Sequence, residues 1–319
     1  MRIFVSIVSF RDPLLHYTVK SLLENKSERH NVVIGIFEQT AFEESLENKH
    51  KELLKNSDIR YKRMDPQYSE GVGWARHVNS LQLENEDFYY QIDSHMLFDK
   101  HWDRNLVNNY KMGVNKTNSP KVIITANCKN FDLDENKEPK KIIVNPITCE
   151  AKYYAFRKDM YLFGHGDWVN AKTDLTPAIH IFAGNFFTHS DWVRNVGVDP
   201  FMFFEGEEQL LSIKSFAADY HMFHPTSIEC YHYNRTHEYI TKQRVEPVVS
   251  HDIITLRQRK SREHFLAVLD SLDEDMLERF RKYSGVDYIN RKLEKRAITS
   301  GILPIPGEVR DWEIEDRTD

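Results

Sequence analysis

The stretch Phe88-Tyr89-Tyr90-Gln91-Ile92-Asp93-Ser94-His95 reads as a buried β-strand that breaks off on polar side chains. Its aromatic and β-branched residues favour the pleated state, and functional groups of open α/β sheets sit at the carboxyl ends of strands. Period-two alternation past Ile92 puts the side chains of Asp93 and His95 on one side of the turn, able to share one cation. One carboxylate and one imidazole suit Mn2+ or a similar divalent ion, whereas Ca2+ prefers an all-oxygen shell. The same triplet also fits an aspartate that merely caps a turn, so the rest of the chain carries the decision.

Upstream, residues 2–10 form an apolar strand-like run, and Pro13 opens a segment with Leu14, Leu15, Val19, Leu22 and Leu23 at helical spacing. Val32–Phe37 reads as a second strand, Phe42–Lys55 as a charged helix, Ile59–Met64 as a third strand and Trp74–Leu83 as a helix. This β-α-β-α-β order predicts a parallel sheet with right-handed crossovers. Downstream, Val122–Ala126, Lys152–Arg157 and Ile179–Phe187 read as strands, and Ser190–Val196 and Glu207–Phe216 as helices that complete the domain. The polar, Lys/Asn/Asp-rich region 115–145, punctuated by Pro120, Pro139 and Pro146, predicts surface loops and a candidate lid. Beyond Ser250 the pattern is helical, with an apolar stripe of Phe265, Leu266, Val268, Leu269, Leu272, Met276, Leu277 and Phe280. The chain therefore divides into an α/β domain over 1–249 and a helical appendix over 250–319, ending in a tail around Pro304-Ile305-Pro306-Gly307. The stripe suits packing on the first domain or on a second subunit as a homodimer.

A net charge of −6 removes any general attraction to phosphate backbones. Cys128, Cys149 and Cys230 form no CxxC pair and fit buried free thiols in a reducing compartment. The opening apolar run meets Arg11-Asp12-Pro13, too soon for a signal peptide or membrane anchor. A cytoplasmic protein without membrane contact is expected, in which the Asn25, Asn115 and Asn234 sequons go unused.

Four further segments carry polar chemistry. Gly71-Val72-Gly73-Trp74-Ala75-Arg76 starts a helix whose free N–H groups suit either a phosphate or a plain turn. Phe182-Ala183-Gly184-Asn185-Phe186-Phe187 places a glycine within a strand-like run, which marks a bulge or a close ligand approach. Phe203-Phe204-Glu205-Gly206-Glu207-Glu208-Gln209 follows Asp199-Pro200, and its aromatic flank favours a partly buried, substrate-facing carboxylate. His232, within Glu229–Arg235, and His224, before Pro225, compete for the place of a third metal ligand.

Taken in order, Ser9-Phe10-Arg11-Asp12, Gly71–Arg76, Gln91–Met96 with Trp102-Asp103, Phe182–Phe187, Phe203–Gln209 and Cys230–Arg235 make the chain resemble a glycosyltransferase family. It resembles most the hydroxyproline-directed polypeptide GlcNAc transferases, and more distantly the polypeptide N-acetylgalactosaminyltransferases. That resemblance implies a GT-A fold, with a Rossmann-like central mixed sheet, and a retaining, metal-dependent transfer from a UDP-sugar. It implies Mn2+ held by Asp93, His95 and His232, uridine and ribose near Ser9, Phe10 and Arg11, and Arg76 near the pyrophosphate. Gly184 and Asn185 would line the donor sugar, and Glu207 and Glu208 would bind sugar hydroxyls or the acceptor. The acceptor is a hydroxylated protein side chain or, alternatively, a hydroxymethylated base of viral DNA; a catalytically silent nucleotide-sugar-binding module is a reading of another class.

Overall fold

Nine residues of strand β1 (Arg2–Phe10) run through the centre of the molecule, and Ile3, Phe4, Val5 and Ile7 are fully buried there. The computed structural model describes residues 1–142, 148–157, 160–169, 174–233, 248–294 and 297. Pro146, the Asn234 sequon, Arg235 and the tail around Pro304–Gly307 lie outside the described residues.

After β1 come helix α1 (Leu15–Asn25), strand β2 (Asn31–Gln39), helix α2 (Leu46–Lys49), strand β3 (Ile59–Met64), helix α3 (Val72–Ser80) and strand β4 (Phe88–Ile92). The four strands pair in parallel in the order β3-β2-β1-β4, as the alternation of elements predicts. Residues 42–55 form no single helix but α2 between two 3-10 turns, Phe42–Glu44 and Leu53–Lys55. The Ser45 hydroxyl donates back to the Phe42 carbonyl and Glu38 accepts the Leu46 N–H, and such local bonds compete with a continuous helix.

Strand β5 (Met96–Phe98), helix α4 (Trp102–Thr117) and strand β6 (Val122–Thr125) follow. Next come β7 (Lys129–Leu133), β8 (Pro139–Lys141), β9 (Thr148–Phe156), β10 (Leu162–Val169), β11 (Leu175–Pro177) and β12 (Asn185–His189). The chain continues through α5 (Asp191–Asn195), α6 (Glu207–Ala217), β13 (His221–Pro225), β14 (Cys230–Tyr233), α7 (His251–Asp270) and α8 (Glu274–Ser284). In the main sheet β12 runs antiparallel between β4 and β6, β13 lies parallel to β6, and β11 runs antiparallel to β13, giving a mixed sheet of eight strands.

Two further expectations change. Residues 179–184 leave the sheet, because the N–H groups of Ile181, Phe182 and Ala183 donate to Ser212 Oγ, Thr125 Oγ1 and Glu208 Oε1 instead of to a neighbouring strand. Around the strand expected at 122–126, which is β6, the described part of the 115–145 region expected as loops holds the end of α4 together with β7 and β8, and a second sheet runs β5-β14-β7-β8. There Phe131 packs with Leu14, Leu97, Tyr231 and Tyr233, and the ammonium groups of Lys129 and Lys141 lie over the Tyr231 ring while pairing with Asp99. The lysines thus cover apolar surface as well as carrying charge, which composition alone does not disclose.

The C-terminal stripe packs on the α/β domain: Phe265, Leu269, Leu277 and Phe280 share one core with Tyr153, Phe156, Met202, Leu210 and Ile213. Ser250 and Asp273 cap the starts of α7 and α8 through their side chains. Cys128 and Cys230 are buried and unbridged. Among the described residues no helix is long and apolar enough to cross a membrane.

Candidate active site

Asp93 follows β4, and its N–H reaches the Gly184 carbonyl at 3.3 Å. The antiparallel pairing of β14 with β5 sets His232 opposite Met96, so the His232 and His95 rings lie with centroids 4.5 Å apart. His232 Nε2 stands 3.3 Å from Asp93 Oδ2. One ligand atom from each of Asp93, His95 and His232 falls within 4.8 Å of the others. Two neighbouring strand ends and a strand from the second sheet therefore converge on one small polar volume.

His224 lies elsewhere, buried in β13 with Nδ1 2.7 Å from the Thr125 carbonyl. Burial pushes its pKa down to about 4 from 6.5. The unfolded chain takes up this proton near pH 6.5 and the folded one only near pH 4, so the stability tied to a neutral His224 is present above 6.5 and lost as pH falls toward 4. That loss should be about 3 kcal/mol. Urea unfolding of wild type and His224→Gln across this range checks it, and parallel pH curves would refute the assignment.

Arg76 comes from the inner face of α3 and is almost wholly buried. Its Nη2 donates to Asp93 Oδ1 at 2.8 Å and its Nη1 to Glu207 Oε2, so a single guanidinium joins the Asp93–His95–His232 group to the start of α6. Burial works against ionisation of Asp93, but the His232 hydrogen bond and the Arg76 charge outweigh it and hold the carboxyl well below the usual range. For Glu207 burial prevails over Arg76, and its carboxyl is pushed up.

The glycines before Arg76 make this contact possible. The N–H groups of Val72 and Gly73, which suited a phosphate in the sequence, are taken by the carbonyls of Phe203 and Met202 at 2.9 and 3.1 Å. A Cβ on Gly73 would come within 2.5 Å of the Asp199 and Met202 carbonyl oxygens, so only glycine lets α3 dock on this segment. Arg76 consequently faces two carboxylates of the protein.

Gly184 is pressed against the same group, since a Cβ there would lie 2.3 Å from Asp93 Oδ2. Asn185 is buried, accepting from the Tyr90 hydroxyl at 2.9 Å and donating to the Ala126 carbonyl at 3.0 Å. Glu208 accepts the Ala183 N–H at 2.8 Å and meets His180 Nε2 at 3.1 Å, and His180 Nδ1 in turn meets the Tyr153 hydroxyl. Burial opposes ionisation of Glu208, but the His180 contact prevails and its carboxyl is lowered. Nearly half of the Glu208 side chain remains exposed.

Ser9 and Phe10 end β1, and Arg11 turns the chain away with φ 46°. Ser9 Oγ is buried without a hydrogen-bond partner, and so is Gln39 Oε1 at the end of neighbouring β2. Sequence reasoning passed over Gln39 and gave no role to Asp12, whose Oδ2 lies 2.5 Å from His95 Nδ1. Position at a strand end was the only signal available for either.

A family model described as Glycosyltransferase (GlcNAc) matches residues 2–47 and 43–279 of the chain. No curated protein matches it in sequence. Among solved structures, GalNAc-T7 with UDP, GalNAc and Mn2+ aligns with a TM-score of 0.65 at 14% identity, over 88% of this chain and 50% of that one. This chain thus spans about half the length of that relative. TarS of S. aureus in complex with UDP-GlcNAc aligns with a TM-score of 0.47 at 14% identity, over 89% of this chain and 72% of the other. The likeness to GalNAc-T7 shows the fold, and the mixed central sheet is the GT-A architecture that the sequence motifs imply.

Proposed function

The chain belongs to the Glycosyltransferase (GlcNAc) family, and from that premise we propose that it is a retaining, Mn2+-dependent enzyme. It moves a sugar, GlcNAc by preference, from a UDP-sugar to a hydroxyl acceptor such as a hydroxylated protein side chain. The observation that carries the proposal is the convergence of Asp93, His95 and His232 at the carboxyl end of β4. A carboxylate and two imidazoles within 4.8 Å of one another fit a borderline-soft divalent ion. Such an ion, when bound, supplies Lewis-acid neutralisation of a diphosphate leaving group. GalNAc-T7, whose fold this chain shares, has been solved with UDP, GalNAc and Mn2+ together, which supports the reading.

The chain's own residues supply the rest. Ser9 Oγ and Gln39 Oε1, buried without partners at the ends of β1 and β2, would take up hydrogen bonds with a nucleoside once the strand ends open to it. Arg76 keeps Asp93 ionised and oriented. Glu208, partly exposed beside Gly184, accepts hydrogen bonds from sugar or acceptor hydroxyls. Glu207 is tied to Arg76, and Glu208 to His180 and Ala183, so neither carboxylate stands ready as a covalent nucleophile. This favours a same-face displacement in which the leaving phosphate takes the acceptor's proton, with both substrates held in place by the site.

The test is thermal unfolding with UDP, Mn2+ or both. UDP at about a hundred times its dissociation constant should add about 2.7 kcal/mol of stability when Mn2+ is present, and far less without it. Equal protection by UDP in the absence of the metal would refute the metal-dependent donor site. UDP release from a UDP-sugar panel with an acceptor present separates an enzyme from a silent binding module, and an inverted product anomer by NMR would refute retention.

A further inference from the structure

Asp12 lies under the metal-ligating group, and no step of the proposed transfer uses it. Its side chain is fully shielded from solvent. Oδ1 accepts the Leu14 N–H at 3.0 Å, while Oδ2 accepts the Ser94 hydroxyl at 2.7 Å and faces His95 Nδ1 at 2.5 Å. An ionised carboxylate can only accept, so in a neutral His95 ring the proton that faces it sits on Nδ1 and the lone pair is on Nε2. With both oxygens engaged and no solvent access, Asp12 has no oxygen to offer a cation itself.

The surrounding backbone is built to hold this contact. Arg11 adopts φ 46°, a left-handed conformation unfavourable for a side chain of its size, and its N–H is anchored on the Gln39 carbonyl at 3.0 Å. Strain of this kind persists where the surrounding structure requires it. On the other side, Thr18 Oγ1 donates to the Ser94 carbonyl and accepts the Met96 N–H, each at 2.8 Å. The backbone on both sides of His95 is therefore fixed, and the orientation of its ring is what remains to be set.

We propose that Asp12 is a positioning residue: it holds His95 in the Nδ1–H tautomer and aims Nε2 at a divalent cation shared with Asp93 and His232. The inference rests on the metal reading of that group. A carboxylate behind a ligating imidazole fixes the ring and raises its basicity, and removal of such a partner typically weakens metal binding about 10- to 100-fold.

Mn2+ alone is the probe. Metal-free wild type, labelled with 15N-histidine and examined by long-range 1H–15N NMR at alkaline pH, should show His95 protonated on Nδ1. Asp12→Asn, which keeps the side-chain volume, should weaken Mn2+ binding about 10- to 100-fold, read by electron paramagnetic resonance of the free ion, and should shift His95 toward the Nε2–H tautomer. His95 carrying its proton on Nε2 in the wild type would overturn the inference whether or not the variant folds, and so would unchanged Mn2+ affinity in a folded Asp12→Asn. A wild type that binds no Mn2+ would sink the metal reading, and this inference with it, even if the tautomer is as expected.

Discussion

Asp93→Ala is expected to erase the Mn2+ dependence of UDP binding and to slow turnover of the UDP-sugar by about 10³-fold or more, roughly 4 kcal/mol of transition-state stabilisation. Asp93 is the only carboxylate in the three-residue group, so its loss removes that group's one formal negative charge. The variant also frees Arg76 Nη2, which would then be available to a phosphate and could leave weak, metal-independent UDP binding behind. Gly184→Ala reaches the same end without touching a ligand. Its new methyl would have to occupy space 2.3 Å from Asp93 Oδ2, so either the carboxylate or the backbone of residues 183–185 must move. Calorimetric titration of UDP with and without Mn2+ should show both variants losing the metal-dependent part of the heat. Retention of that part by Asp93→Ala would remove Asp93 from the metal-binding group.

Strands β1 and β2 were legible because they are buried on both faces and read as unbroken apolar runs. Where side chains compete for the backbone, the pattern misled. Apolar residues continue from Ile179 to Phe187, yet residues 179–184 spend their N–H groups on Ser212, Thr125 and Glu208, all distant in sequence. Residues 129–141 erred in the opposite direction, since lysines there lie over the Tyr231 ring and make a polar composition compatible with strands.

The site divides along the same line. Asp93 and His95 were accessible from period-two alternation at one strand end, a local rule. The place of His232 depends on the register of β14 against β5, which no local periodicity encodes; it became a candidate only through motif order. The partners of Arg76 were beyond reach, because Glu207 lies 131 positions along the chain. The sequence left the N–H groups of this helix start open between a phosphate and a plain turn, and the structure gives those of Gly73 and Val72 to Met202 and Phe203. Asp12 was visible only as a polar residue just past the end of β1, and its contact with His95 depends on the turn at Arg11, whose φ is 46°.

Arg76→Met should be the most destabilising single change at the site, by about 3–5 kcal/mol, because it strips the counter-charge from Glu207 inside the protein. Glu207 is almost fully shielded, and one of its oxygens already lacks a partner. Burial raises the Glu207 carboxyl even with Arg76 beside it, and removing the guanidinium raises it further. The sign of the pH dependence follows. An acid whose folded pKa lies above its unfolded value contributes stability that is complete below the unfolded pKa and is lost as pH rises through the folded one. The deficit of Arg76→Met relative to wild type should therefore be smallest in mild acid and grow toward neutral and alkaline pH. Adding Glu207→Gln should recover much of it at neutral pH, since the amide has no charge to bury. Urea unfolding of the single and double variants at acidic and alkaline pH measures both effects. A deficit that is the same at both pH values and is not relieved by Glu207→Gln would mean that Arg76 acts through packing of its aliphatic stem alone, and that the bridge from Asp93 to Glu207 is not what holds α3 against α6.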